Sequence, residues 1–156
     1  MERVTVAALL HDIDKQLIRR DGPLHGELGA QMLEQMGFGE LAPAVDSHTI
    51  EAIRDERRYP RGWISVIVWV ADKHVAQSFM TLDERLDDMS ARYPAYRAEI
   101  EGAREHGHAL EHELAAATGL GIDALVARLR DAWAADSPPD AAARRSPPTP
   151  TESDHI

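Results

Sequence analysis

The sequence predicts an all-α protein. Alanine is abundant and β-branched residues come in short runs, a balance that favours helix over strand. Apolar residues recur at helical spacing, as in Leu28, Met32, Leu33 and Met36, and again in Leu125, Val126, Leu129 and Trp133. The stretches between them carry helix stop signals. Aromatic residues make up only 5% of the chain, so Leu, Ile, Val and Ala must build the core.

Residues 2–20 read as a first helix, ending in Arg19-Arg20 before the turn Asp21-Gly22-Pro23. Residues 24–36 read as a second, stopped by Gly37, and residues 39–53 as a third, with Leu41, Val45, His48 and Ile53 along it. The charged segment from Arg54 to Gly62 carries Pro60 and is a loop. Residues 63–80 are the most apolar stretch. Val66, Ile67, Val68 and Val70 alone would suit a strand, but the apolar character runs on through Val75, Ala76 and Phe79, too long for one. A buried central helix is the expectation. Thr81 followed by Glu84 forms a capping box for the next helix. Residues 95–118 form a long polar helix closed by Gly119, and 122–134 a last one.

A chain of 156 residues suggests one domain with a real core. The expected boundaries are a helical domain over 1–135 and a disordered tail over 136–156, where Pro, Ser, Thr and charge replace apolar periodicity. Lys plus Arg is 17 against 27 for Asp plus Glu, a net charge of −10, which argues against broad nucleic-acid binding. The absence of cysteine excludes disulfides and thiolate ligands. No membrane span or signal peptide is visible, and a cytoplasmic protein is the expectation.

The candidate functional residues stand in apolar contexts. His11-Asp12 follows Ala7-Ala8-Leu9-Leu10, His25 opens the second helix, His48 lies near the end of the third, and Asp72 sits inside the apolar run. Taken singly, His25 or His48 suits a surface or capping position. An Asp inside so apolar a helix is costly to bury unless it is paired or bound to a metal. Lys73 is its sequence neighbour, although adjacent helical residues diverge. Imidazole and carboxylate together suit a hydrolytic divalent-metal site. His108 to His112 also spells His-x-x-Glu-His, but the helix around it is polar, and a solvated face is the expected role.

His11-Asp12, His25, His48 and Asp72, in this order and with these flanks, resemble the HD-domain superfamily of metal-dependent phosphohydrolases over roughly residues 1–92. The resemblance implies that His11, Asp12 and Asp72 serve a first metal, and Asp12, His25 and His48 a second. It implies one or two divalent ions, with Fe, Mn, Mg, Ni, Co and Zn all compatible with such ligands. Asp12 would be catalytic through both metals, and Lys15 would contact a substrate phosphate. The substrate implied is a small phosphorylated metabolite, with a nucleotide first. Two departures stand out. The glycine that usually precedes the lysine is Asp14 here, and none of the ten residues before His11 is the histidine the superfamily carries upstream. His106, His108 and His112 are the candidates to replace it. The missing helix would leave an apolar surface around Leu9 and Leu10 on which a homodimer could form. The alternative to an enzyme is a degenerate HD fold that binds or regulates without catalysis.

Overall fold

The computed structural model describes residues 2–19 and 21–136. Among these the fold is all-helical, with seven α-helices, two short 3₁₀ turns and no strand. The expected tail lies outside the described residues, apart from Asp136, which ends the last helix. The chain separates into two compact units, one reaching Val70 and one beginning at Ala71.

The first unit contains α1 (Glu2–Leu10), α2 (Glu27–Gln35), α3 (Ala42–Asp46) and the beginning of α4 (Trp63–His74). Helices α1 and α2 both pack on α3. Ala7, Leu33, Leu41, Ala44, Val45 and Val68 form a fully buried cluster, with Leu10 and Ile64 against its edge. Leu9, on the other side of α1, is exposed.

Two helices are shorter than the sequence pattern suggests. The first ends at Leu10 rather than at residue 20, and residues 11–17 continue as tight turns. Ile13, Lys15 and Leu17 donate to the carbonyls of Leu10, Asp12 and Asp14, each three residues back. The third stops at Asp46 after five residues, and 52–54 form a separate 3₁₀ turn. Both helices end where a histidine side chain claims a carbonyl. His11 Nδ1 donates to Ala8 O at 2.6 Å, and His48 Nδ1 donates to Val45 O at 2.6 Å. In a continuing helix those carbonyls would accept from Asp12 and Thr49. His25 likewise precedes α2 rather than lying within it.

The apolar stretch forms helix α4, as its length implied, but stops at His74 rather than at residue 80. The chain then turns through an isolated antiparallel bridge between Val75 and Phe79. His74 closes this turn twice. Its carbonyl accepts from Met80 N, and its Nδ1 donates to Met80 O at 2.7 Å.

The second unit contains the end of α4, α5 (Leu82–Arg92), α6 (Arg97–Thr118) and α7 (Ile122–Asp136). The capping box forms in full: Thr81 Oγ1 accepts from Glu84 N, and the Glu84 carboxylate accepts from Thr81 N. Helix α6 ends at Gly119, whose φ of 69° is the left-handed conformation that lets the chain leave the helix. Helix α5 packs along α6, and α7 returns against α6. The His-x-x-Glu-His face is less solvated than expected. Glu111 is buried, with Oε1 2.8 Å from Nε2 of the buried His74 and Oε2 2.9 Å from His108 Nδ1. His108 Nε2 reaches Asp83, so side chains link α4, α6 and α5 in one chain.

Glu111→Ala strands the buried His74 and is expected to cost about 3 kcal/mol, the scale for removing one member of a buried pair. Thermal denaturation checks it, and a shift within error would mean that water replaces the carboxylate at no cost. Gly26→Ala is expected to lower the melting midpoint more than Gly37→Ala. Both glycines have positive φ (82° and 85°), which disfavours any side chain, by about 1–3 kcal/mol. A Cβ on Gly37 meets nothing within 4 Å, whereas one on Gly26 would lie 2.8 Å from Val45 O and 3.0 Å from Asp46 O.

Candidate metal centre

Three short segments of the first unit meet at the Asp12 carboxylate. The turn after α1 supplies His11 and Asp12, the residue before Gly26 supplies His25, and the segment after α3 supplies His48. Asp12 Oδ1 lies 3.0 Å from His25 Nε2 and 3.5 Å from His48 Nε2, and Oδ2 lies 3.6 Å from His11 Nε2. The His48 ring stands edge to face with both others, at centroid distances of 5.0 Å to His11 and 4.8 Å to His25. One ligand atom from each of His11, Asp12 and His48 lies within 4.8 Å of the others.

The tautomers follow from the partners. A carbonyl oxygen can only accept, so Nδ1 of His11 and of His48 carries a proton. In a neutral ring that leaves the lone pair on Nε2, the atom on the Asp12 side, and in a protonated ring Nε2 donates to Asp12. His25 Nδ1 lies 2.7 Å from Asp14 Oδ1, which makes the same assignment for that ring. Three imidazoles therefore direct Nε2 atoms at one carboxylate.

Electrostatics sharpen the picture. Burial pushes the Asp12 carboxyl up, but hydrogen bonds from His25 and His48 and the charges of His11 and Lys15 more than reverse this, holding it far below the usual carboxylate range. Burial pushes His25 down, but Asp12 and Asp14 outweigh it and lift the imidazole to about 9. Asp14 is pushed up by burial and brought below its ordinary value by His25 and the amides of Gly29 and Gly26. His25 Nε2 also lies 3.2 Å from His48 Nε2. Two imidazole lone pairs at that distance repel unless a cation stands between them or beside them. A proton on His25 meets that need, and a divalent ion would meet it better. The donor set of imidazole nitrogens and one ionised carboxylate fits such an ion.

The site opens on one side. The side chains of His25 and His48 are 7% and 3% exposed, whereas Asp12 is 38% exposed. Lys15 reaches back to Asp12 Oδ2 at 3.1 Å while half its side chain stays in solvent. Asp72 belongs to the second unit, where its carboxylate pairs with the Lys73 ammonium. The sequence neighbour therefore does reach it. Lys73 is itself buried.

The model of the HD domain family matches residues 1–93, more than half of the chain. The chain belongs to the HD domain family. No curated protein and no solved structure matches it. The family is one of metal-dependent phosphohydrolases, and the matched span contains the His11-Asp12 pair. No helix among the described residues is long and apolar enough to cross a membrane.

Sequence reasoning did not single out Asp14, which is completely buried beside this cluster. It registered only as an unusual residue before Lys15. The signal that could have found it is the spacing: a carboxylate two residues beyond Asp12 turns away from it and must find other donors.

Asp12→Ala is expected to lose bound metal more completely than His25→Ala, because Asp12 faces all three imidazoles and His25 is one of them. Elemental analysis of the purified variants checks this. Equal metal content in Asp12→Ala and the parent would contradict a central role for the carboxylate.

Proposed function

We propose that this HD protein hydrolyses a phosphate ester or anhydride of a small phosphorylated metabolite, in the first place a nucleotide, using one or two divalent ions held by His11, Asp12, His25 and His48. The observation that carries this reading is the convergence of three imidazole Nε2 atoms on one ionised carboxylate, open to solvent on the carboxylate side. A bound divalent ion supplies Lewis acidity, lowering the pKa of water toward 7 and neutralising charge on phosphoryl oxygens.

The residues divide the remaining work. Asp12 contributes charge and presents its two oxygens in different directions, Oδ2 toward His11 and Oδ1 toward His25 and His48. That division suits a carboxylate shared between two ions. The backbone carbonyls of Ala8 and Val45 hold His11 and His48 in the ligating tautomer. Lys15, half-exposed beside Asp12, is placed to exchange that carboxylate for a phosphate oxygen of the substrate. The strong negative charge of the chain leaves the ions and Lys15 as the local attraction for a phosphate.

Phosphate release from a nucleotide panel, with Mn, Co, Ni, Mg or Fe added to metal-stripped protein, tests the proposal. Metal-dependent release that Asp12→Ala abolishes is the expected result. Lys15→Ala is expected to raise KM with a smaller effect on kcat, the signature of lost substrate binding. Metal binding without turnover on any substrate would favour the non-catalytic alternative.

A further inference from the structure

We infer that Asp14 is a positioning residue of the metal centre: it fixes the His25 ring so that Nε2, and not Nδ1, faces Asp12 and His48. The inference rests on the metal reading given above and extends it to a residue that touches neither substrate nor metal.

The geometry leaves the Asp14 carboxylate no freedom. It is completely buried, and Oδ2 accepts from Gly26 N and Gly29 N, both at 2.8 Å. Those amides lie at the start of α2, where backbone donors have no helical partner. Gly29 lets the helix come this close, since a Cβ there would lie 3.3 Å from Asp14 Cγ and 2.8 Å from Val45 Cγ1. With Oδ2 held by two amides, Oδ1 points at His25 Nδ1, 2.7 Å away. That bond sets both the tautomer and the rotation of the ring. The opposite nitrogen then stands 3.0 Å from Asp12 Oδ1 and 3.2 Å from His48 Nε2. The other two histidines are oriented by helix carbonyls. His25 lies outside any helix and takes a side-chain carboxylate for the same purpose.

Asparagine at position 14 separates these roles. It keeps the size but has one acceptor oxygen. The two amides claim that oxygen, so the NH₂ group faces His25 Nδ1. The ring then has to accept at Nδ1 and carry its proton on Nε2, where it blocks ligation.

Zinc titration of the metal-stripped protein against a competing chelator, for the parent, Asp14→Asn, His25→Ala and the double variant, tests the inference. Asp14→Asn is expected to weaken zinc binding about 10- to 100-fold, the usual cost of losing a group that orients a ligand. In the His25→Ala background it is expected to cost nothing further, because Asp14 acts through that ring. A purely structural role would give the same loss in both backgrounds and would overturn the inference. The ¹⁵N spectrum of the zinc-loaded parent is a second readout that does not depend on the variant folding. His25 is expected to be protonated on Nδ1, and a proton on Nε2 would overturn the inference. A parent that binds no zinc overturns the metal reading itself. A parent that binds zinc no better than Asp14→Asn overturns only the role of Asp14.

Discussion

The buried carboxylate of Asp14 is the constraint on which the first unit turns. A charge taken fully out of water must be met by donors, and three meet this one: two amides at the start of α2 and the His25 imidazole. Satisfying it joins the turn after α1 to the beginning of α2. It also explains why glycine stands at 26 and 29. The first has a positive φ at a place where a Cβ would lie 2.8 Å from Val45 O and 3.0 Å from Asp46 O, and the second lets backbone approach carboxylate. Arg58 closes the same region, donating to the carbonyls of His25 and Asp46 and to the Asp46 carboxylate. The site is thus held by polar bonds between loops, over a core of Ala, Leu and Val that fixes α1, α2 and α3.

A second regularity is that the helices end in order to make the site. His11 and His48 each take the carbonyl three residues back, and in doing so stop α1 and α3 at the point where the ring must turn inward. A histidine within a continuing helix would have kept that carbonyl for the backbone and left Nδ1 to find another partner. Helix termination, tautomer choice and ring direction are therefore one event. The same economy appears in the second unit, where His74 ends α4 and uses Nδ1 on Met80 O while Nε2 meets Glu111.

This explains what was legible in the sequence and what was not. Helical periodicity identified α2 and α7, because burying an apolar stripe is a local, repeating demand, and the length of the apolar run identified α4. The Thr81–Glu84 box marked the start of α5 and Gly119 the end of α6, because capping is decided by residues within one turn. His11-Asp12, His25 and His48 were recognisable as chemistry, and the fold brings them together with Asp12 at the centre. The ends of α1, α3 and α4 were not legible. They depend on where a histidine side chain goes, which periodicity does not encode. Asp14 was hidden for a related reason: its partners are backbone amides 12 and 15 residues away, and amides leave no trace in a sequence.

Charge balance links the architecture to its chemistry. Two carboxylates, Asp12 and Asp14, sit together in a largely buried site of a strongly acidic protein. The charges opposing them include the His25 imidazolium, lifted to about 9, and the Lys15 ammonium on Asp12. Both are removable, one as a proton and the other by rotation of an exposed side chain. Divalent binding would release the proton, so affinity rises with pH toward the His25 value and falls as acid restores the imidazolium. It would also relieve Lys15 of its duty to Asp12 and leave that ammonium available to an incoming phosphate. The Asp14–His25 bond persists through this exchange, because Asp14 accepts the same Nδ1 proton whether or not Nε2 is protonated. A ligand that can lose its proton without losing its orientation is what a site needs if it is to accept a metal without rebuilding itself.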